Sequence, residues 1–106
     1  MLNIKEYLKT GKPVVGTWLN SGSQIVAELM AAAGFDFVCV DAEHSAVGLP
    51  QTQQIFQAIR SGNQDCAAMV RLHGVDYSFV KQYLDAGARG IIAPLVRTRA
   101  EAELLI

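Results

Sequence analysis

The chain has 106 residues, 51% of them apolar, and its formal net charge at pH 7 is −1. This length suits one domain and is too short for two. A nearly neutral chain without a basic stripe gives no support for a nucleic acid or an anionic membrane as a partner. No apolar run approaches the roughly 18 residues that a membrane-spanning helix needs.

The first predicted elements are a short helix and a strand. Asn3 and Glu6 have the spacing of a capping box, which predicts a helix over Ile4–Lys9. Val14–Leu19 is the first predicted strand, and Gly16 within it indicates a close backbone approach or a bulge. The opening residues lack the apolar core of a signal peptide, so we expect a cytoplasmic protein.

The next helix is predicted from the spacing of its apolar residues. Ser23 is a natural N-cap for a helix over Gln24–Ala33. Five apolar residues at helical spacing predict the face that this helix turns to the core: Ile25, Val26, Leu29, Met30 and Ala33.

The second predicted strand, Phe35–Val40, is almost continuously apolar, as expected for a strand that is buried on both faces. Three ionisable residues, Asp41, Glu43 and His44, follow where this strand should end. A helix that runs to about Ser61 comes next, and three of its residues are predicted to be buried: Ile55, Phe56 and Ile59.

The second half of the chain repeats this alternation. Cys66–Val70 is the third predicted strand, and Arg71 stands at its end. A helix that is capped by Asp76 runs to about Ala86, and Gly90–Ala93 is the fourth predicted strand. Four residues of this helix are predicted to face inward: Phe79, Val80, Tyr83 and Leu84.

Strands that alternate with helices predict right-handed βαβ units around a parallel sheet. Two architectures fit four such units: an open sheet that is complete as it stands, and the first half of a TIM barrel, which normally has about 250 residues. Apolar edges at Val14–Leu19 and Gly90–Ala93, and a last helix that opens at Thr98 and stops on Leu104–Ile106, favour the barrel. We therefore expect the α/β class, with residues 1–106 forming the N-terminal half (about four βα units) of a TIM (β/α)8 barrel, a domain incomplete at its C-terminus.

Both cysteines, Cys39 and Cys66, fall in predicted strands, and neither belongs to a C-x-x-C pair. We expect them to be reduced thiols in the core of a cytosolic protein.

The candidates for chemistry lie mainly at the ends of the second and third strands. A neighbouring carboxylate can fix the tautomer of His44 and raise its basicity. Arg71 either pairs with Asp41 or Glu43, or binds a substrate carboxylate through its planar donors. A metal held only by Asp41, Glu43 and His44 is disfavoured, because catalytic metal ligands usually come from several strands. Asp85, late in a helix, by itself indicates a solvated side chain.

Two kinds of site find no support in the sequence. None of the lysines lies in a predicted strand, which disfavours a Schiff-base mechanism. No glycine-rich phosphate loop is present, which disfavours nucleotide binding.

Four segments taken together resemble the 4-hydroxy-2-oxoheptanedioate aldolase family: Gly34–His44 (GFDFVCVDAEH), Met69–Arg71, Val80–Gly87 and Ala93–Val96. These are class II, metal-dependent pyruvate aldolases. The resemblance implies a TIM-barrel lyase that reversibly cleaves 4-hydroxy-2-keto acids to pyruvate and an aldehyde through a metal-stabilised enolate.

The resemblance also implies roles for individual residues. His44 matches the catalytic base, and Asp85 matches the carboxylate that pairs with that histidine. Arg71 matches the arginine that holds the pyruvate carboxylate and stabilises the enolate. The divalent metal (Mg, Mn or Co) would be bound by a Glu and an Asp from the second half of the barrel, outside this chain. We therefore expect the isolated chain to be inactive, and the family implies a homo-oligomer, in this case a hexamer.

Two alternatives without catalysis remain open. One is a half-barrel that self-associates through its exposed sheet edges, and the other is a self-sufficient flavodoxin-like binding domain. The absent phosphate loop and the apolar end of the chain disfavour the second.

Overall fold

The computed structural model describes residues 3–43, 47–74 and 76–105. Its helices and strands alternate in the predicted order: α1 (Ile4–Lys9), β1 (Gly16–Leu19), α2 (Gln24–Ala32), β2 (Phe37–Asp41), α3 (Leu49–Gly62), β3 (Ala67–Arg71), α4 (Tyr77–Ala86), β4 (Gly90–Ile92) and α5 (Arg99–Leu104). In the described part of the chain, no helix is long and apolar enough to cross a membrane.

The four strands form one parallel sheet in the order β1-β2-β3-β4. The two central strands end one residue later than predicted, because Asp41 and Arg71 continue the ladder as register partners. β2 also begins later than predicted. Asp36, just before it, accepts a hydrogen bond from the backbone N–H of Val15 at its Oδ2 (2.9 Å).

The hydrophobic core lies between one face of the sheet and helices α2, α3 and α4. Sheet residues and helix residues share a single buried cluster, which includes Leu19, Val38, Val40, Val70, Ala31, Ile55, Ile59 and Tyr83. Side chains alternate across a strand, so the intervening residues point to the opposite face of the sheet. We call this opposite face the far face; it carries Trp18, Phe37, Cys39, Asp41, Met69 and Arg71.

The predicted inner face of α2 is wrong in three of its five positions. Ile25 and Leu29 are 72% and 64% exposed, and Ala33, which caps the helix, is exposed as well. The fully buried residues of α2 are instead small ones, Ala27 and Ala31. Val26 and Met30 do pack against the core as predicted. Small residues are buried because α2 and α3 lie in close contact, so close that a Cβ on Gly62 would collide with the backbone of α2.

The prediction for α3 is confirmed and that for α4 is confirmed in part. Ile55, Phe56 and Ile59 of α3 are buried, and so is Thr52, whose hydroxyl donates to the Gly48 carbonyl oxygen at 2.8 Å. In α4, Tyr83 is buried and Val80 packs on the core. Leu84 is 51% exposed, so its predicted place on the inner face is wrong, and the ring of Phe79 lies 4.3 Å from that of His73 instead of in the core cluster. The predicted caps are present at Asn3, Ser23, Asp76 and Thr98.

On the far face, large side chains of the central strands cover glycines of the edge strands. The ring of Phe37 occupies the space that a Cβ on Gly16 would need. Met69 does the same at Gly90, where its Cε lies 2.8 Å from the position of a Cβ. Gly16 is therefore closely approached, but by a side chain and not by the backbone or bulge that was predicted.

Candidate active site

The candidate site lies where β2 and β3 end side by side. Asp41 and Arg71 are the last residues of these strands and are register partners in the parallel ladder. Asp41 is completely buried, whereas the Arg71 side chain keeps 28% of its surface exposed. The carboxylate therefore lies inside, and the guanidinium covers it from the solvent side.

Arg71 holds Asp41 through two hydrogen bonds, one to each carboxylate oxygen. Its Nη2 donates to Oδ2 at 2.8 Å and its Nε donates to Oδ1 at 3.2 Å. The same Oδ1 accepts the backbone N–H of Glu43 at 3.0 Å, which fixes the turn after β2. Glu43 adds a second carboxylate, with its Oε1 3.3 Å from the Nε of Arg71. The predicted ion pair at this rim is therefore present, and both carboxylates contribute to it.

The electrostatic environment keeps Arg71 charged. The hydrogen bond to Asp41 raises the pKa of the guanidinium, partial burial lowers it, and the charges of Asp41 and Glu43 raise it further. A fixed cation at the carboxyl end of a parallel strand can hold an anionic substrate.

Trp18 completes the surroundings of Arg71. The Arg71 Cζ lies 4.7 Å from the centroid of its ring, within the range of a cation–π contact. Sequence reasoning did not single out this residue. The sequence did indicate its face of the sheet, since the alternation within β1 places Trp18 on the same face as Gly16, away from the helices.

Both cysteines are reduced and buried, as predicted, although Cys66 precedes β3 instead of lying in it. Burial raises the pKa of Cys39 to about 12 and that of Cys66 to about 11. Both thiols are therefore neutral at physiological pH and unsuited to nucleophilic chemistry.

The two other predicted site residues are not joined to this cluster by a described contact. His44 lies outside the described residues. Asp85 is exposed on α4 and lines a groove between α3 and α4 together with Leu49, Gln53 and Gln82. Their roles as base and partner stay predictions.

The described residues do not by themselves fit a metal site. They contain no group of three His, Cys, Asp or Glu side chains with suitable positions. Both oxygens of Asp41 already accept hydrogen bonds from Arg71. The predicted divalent metal and its ligands outside the chain stay a prediction.

A parallel sheet of βα units with charged residues at the carboxyl ends of its strands is the arrangement of βα-barrel enzymes. Comparison with known proteins narrows this class. The chain belongs to the HpcH/HpaI aldolase/citrate lyase family, whose family model matches residues 14–106. The resemblance seen in the sequence is thereby confirmed.

Curated relatives carry aldolase names. A 4-hydroxy-2-oxovalerate aldolase from Rhodococcus jostii is 36% identical over 104 residues, which are 98% of this chain and 40% of the relative. A 4-hydroxy-2-oxo-heptane-1,7-dioate aldolase from Klebsiella pneumoniae is 37% identical over 96% of this chain and 38% of its own length. The chain therefore spans about 40% of the length of the relatives that it matches.

Solved structures of the family superpose on the whole chain. The citrate synthase SbnG matches with a TM-score of 0.91 and 31% identity, over 100% of this chain and 42% of its own. A family protein from Burkholderia cenocepacia J2315 matches with a TM-score of 0.90 and 31% identity, over 99% and 41% of the two chains. These relatives are TIM barrels, so the four βα units correspond to an N-terminal half-barrel, as predicted.

Proposed function

We propose that this chain forms the keto-acid-binding edge of a carbon–carbon lyase that cleaves 4-hydroxy-2-keto acids to pyruvate and an aldehyde. The aldolase names of the relatives support the reaction class. Because the chain spans only about 40% of their length, the activity, the substrates and a homo-oligomeric assembly are all part of the proposal.

The observation that carries the proposal is the way in which Arg71 is held. A guanidinium has five N–H donors. Asp41 occupies the edge formed by Nε and Nη2. The described residues provide no acceptor for Nη1, so the edge formed by Nη1 and Nη2 keeps donors for another group. A planar carboxylate matches such an edge with two parallel hydrogen bonds.

This arrangement supports the chemistry of a pyruvate enolate. An arginine that binds the carboxylate of a keto acid also lies close to the negative charge that develops when the acid becomes an enolate. In the proposal, His44 moves the proton and Asp85 supports it, as the sequence resemblance implies. All four lysines (Lys5, Lys9, Lys12 and Lys81) are exposed and lie outside the strands, so a Schiff base from this chain is not part of the proposal.

Charge balance is compatible with a divalent cation in the complete site. Asp41 and Glu43 carry two negative charges and Arg71 one positive charge. A bound keto acid adds another negative charge, which an added cation would offset. The described residues do not form that cation's site, so we assign no step to it.

The first test is the binding of pyruvate to the 106-residue chain, followed by NMR of the backbone amides. We expect the amides around Arg71 to shift, and Arg71→Met to weaken binding at least about tenfold, the loss expected for a charge-assisted bidentate contact. Arg60→Met is the matched control, since Arg60 is exposed on α3, away from this edge. Equal pyruvate affinity in the Arg71 and Arg60 variants would contradict the proposal.

A second test concerns turnover. With a 4-hydroxy-2-oxo acid and Mg²⁺ or Mn²⁺, we expect no release of pyruvate from the isolated 106-residue chain, because the metal ligands are proposed to lie elsewhere. Measurable turnover that depends on Arg71 would show that the chain is a sufficient catalyst and would refute the expected inactivity.

The structure also favours one alternative, a non-catalytic half-barrel that associates with itself. Its helices cover one face of the sheet, and Trp18 on the far face is 44% exposed. In the described ranges, β1 and β4 each pair with one strand only. Light scattering tests this alternative through the mass of the protein in solution. A mass near 11.5 kDa argues against self-association, and twice that value with a less exposed Trp18 supports it.

A further inference from the structure

The contact between Trp18 and Arg71 joins two strands that are not neighbours. Trp18 in β1 is the register partner of Cys39 in β2, and Cys39 is the partner of Met69 in β3. Arg71 is two residues beyond Met69, on the same face of the sheet. Its side chain must therefore lean back across β2 to place its Cζ 4.7 Å from the indole centroid. The small Cys39 side chain, which is fully buried, lies between them in the sheet.

We infer that Trp18 is a positioning residue that fixes the plane of the Arg71 guanidinium, so that its unoccupied edge is presented to an incoming carboxylate. This inference deepens the proposed function and rests on it for the identity of the ligand. Trp18 is not assigned any contact with the reacting atoms; it acts through Arg71.

The hydrogen bonds to Asp41 do not by themselves fix this plane. They join one edge of the guanidinium to two oxygens, so the group can still tilt about the line through Oδ1 and Oδ2. The Glu43 oxygen approaches Nε, which belongs to the same edge, and leaves the opposite edge unrestrained. The Trp18 ring, with the Arg71 Cζ over it at 4.7 Å, opposes the tilt, because a cation is attracted to the ring face and the ring excludes water there.

Exposure makes this restraint matter for binding. Arg71 keeps 28% of its side-chain surface exposed and Trp18 is 44% exposed, so both groups border solvent. Without the ring, the free edge of the guanidinium would sample orientations that are unsuited to a bidentate carboxylate. The conformational entropy lost when the guanidinium is ordered would then weaken the binding of the carboxylate.

The experiment compares Trp18→Leu, Trp18→Phe and the wild-type chain. Phe37→Leu serves as the matched control, since it also replaces an aromatic ring on the far face but one that lies over Gly16. The first measurement, without ligand, is the Nε–Hε NMR signal of Arg71: its ring-current shift and its rate of hydrogen exchange with water. The second is the dissociation constant of pyruvate, and circular dichroism verifies that each variant is folded.

We expect Trp18→Leu to abolish the ring-current shift, to speed Hε exchange and to weaken pyruvate binding about two- to fivefold. Trp18→Phe should restore part of each effect, because its ring also offers a face to the cation. Phe37→Leu should change none of them. If Trp18→Leu does not fold, the graded effect of Trp18→Phe against Phe37→Leu decides the question.

The inference is overturned if Arg71 exchange and pyruvate affinity are the same in Trp18→Leu and wild type, or if Phe37→Leu produces the same changes. Failure of the proposed function has a different signature. In that case wild type binds no pyruvate, and the Arg71 signal of the ligand-free chain still shows whether Trp18 positions the guanidinium.

Discussion

Replacing Asp41 by Asn should destabilise the chain far more than the same change at Glu43. Asp41 is fully buried, and among the described residues it accepts hydrogen bonds from the Glu43 backbone N–H and, at two atoms, from Arg71. An Asn side chain can still accept the Glu43 backbone N–H, but its NH₂ group then faces the Nη2 of Arg71, donor against donor. Hydrogen bonds to charged groups contribute about 1.5–3 kcal/mol each.

The net cost of Asp41→Asn is smaller than the sum of two such bonds. Arg71 is partly exposed, so its released donors regain water, and Glu43 remains 3.3 Å from Nε. We expect a loss of about 2–3 kcal/mol in the free energy of unfolding. Glu43→Gln should cost about 0.5 kcal/mol, because this side chain lies at the rim and its contact with Arg71 is longer.

Urea unfolding followed by far-UV circular dichroism measures both values without relying on Trp18 fluorescence, which Arg71 influences directly. Glu103→Gln is the control, since it breaks an exposed pair with Arg99 and should change stability by no more than about 0.5 kcal/mol. A sharper test repeats Asp41→Asn in an Arg71→Met background. There the cost of Asp41→Asn should be clearly smaller, because the donor-against-donor contact with Nη2 no longer exists. Equal costs for Asp41→Asn and Glu43→Gln, or an undiminished cost of Asp41→Asn in the Arg71→Met background, would refute the role of Asp41 as the buried anchor of Arg71.

Three further predictions test the packing around the site. Gly16→Ala should lower the free energy of unfolding by about 1–3 kcal/mol, because its Cβ would overlap an aromatic ring of β2. Gly74→Ala is the control: its Cβ meets no atom closer than 3.8 Å, so it should be nearly neutral in the same chemical denaturation experiment. Leu29→Ala, at a site that is 64% exposed, should cost less than about 0.5 kcal/mol, and Leu19→Ala, at 2% exposure, about 2–5 kcal/mol in the same assay. The pKa of Cys39 is raised from 9.0 to about 12, so its contribution to stability is complete below pH 9 and is lost as the pH rises towards 12. A Cys39→Ala variant should show a shallower alkaline loss in a pH series of unfolding curves.

The order of elements could be predicted from the sequence because it depends on local signals. Ser23, Asp76 and Thr98 cap their helices through hydrogen bonds to residues two or three positions ahead, so the pattern is contained within a few residues. The inner face of α2 could not be predicted in the same way. Hydrophobicity favoured Ile25 and Leu29, but the distance between α2 and α3 is set by Gly62, a residue 33 or more positions away.

The candidate site shows the same division between local and distant information. The end of β2 could be recognised as a place for chemistry because Asp41 and Glu43 interrupt an apolar strand. Their pairing with Arg71 was one of the two hypotheses for this residue, since adjacent parallel strands bring their ends together. The ring of Trp18 comes from a strand that does not neighbour β3, and no spacing in the sequence encodes that contact.

The geometry of Arg71 confirms the predicted ion pair and is compatible with the second prediction, the binding of a substrate carboxylate, which stays a prediction. An ion pair that engages both edges of a guanidinium leaves no room for a ligand and serves stability alone. Here the carboxylates of Asp41 and Glu43 both approach the edge that contains Nε. The pair therefore anchors the arginine on one side while donors on the other side remain for an anion. For the proposed function such an anchor matters, because an arginine without one would lose orientation in water.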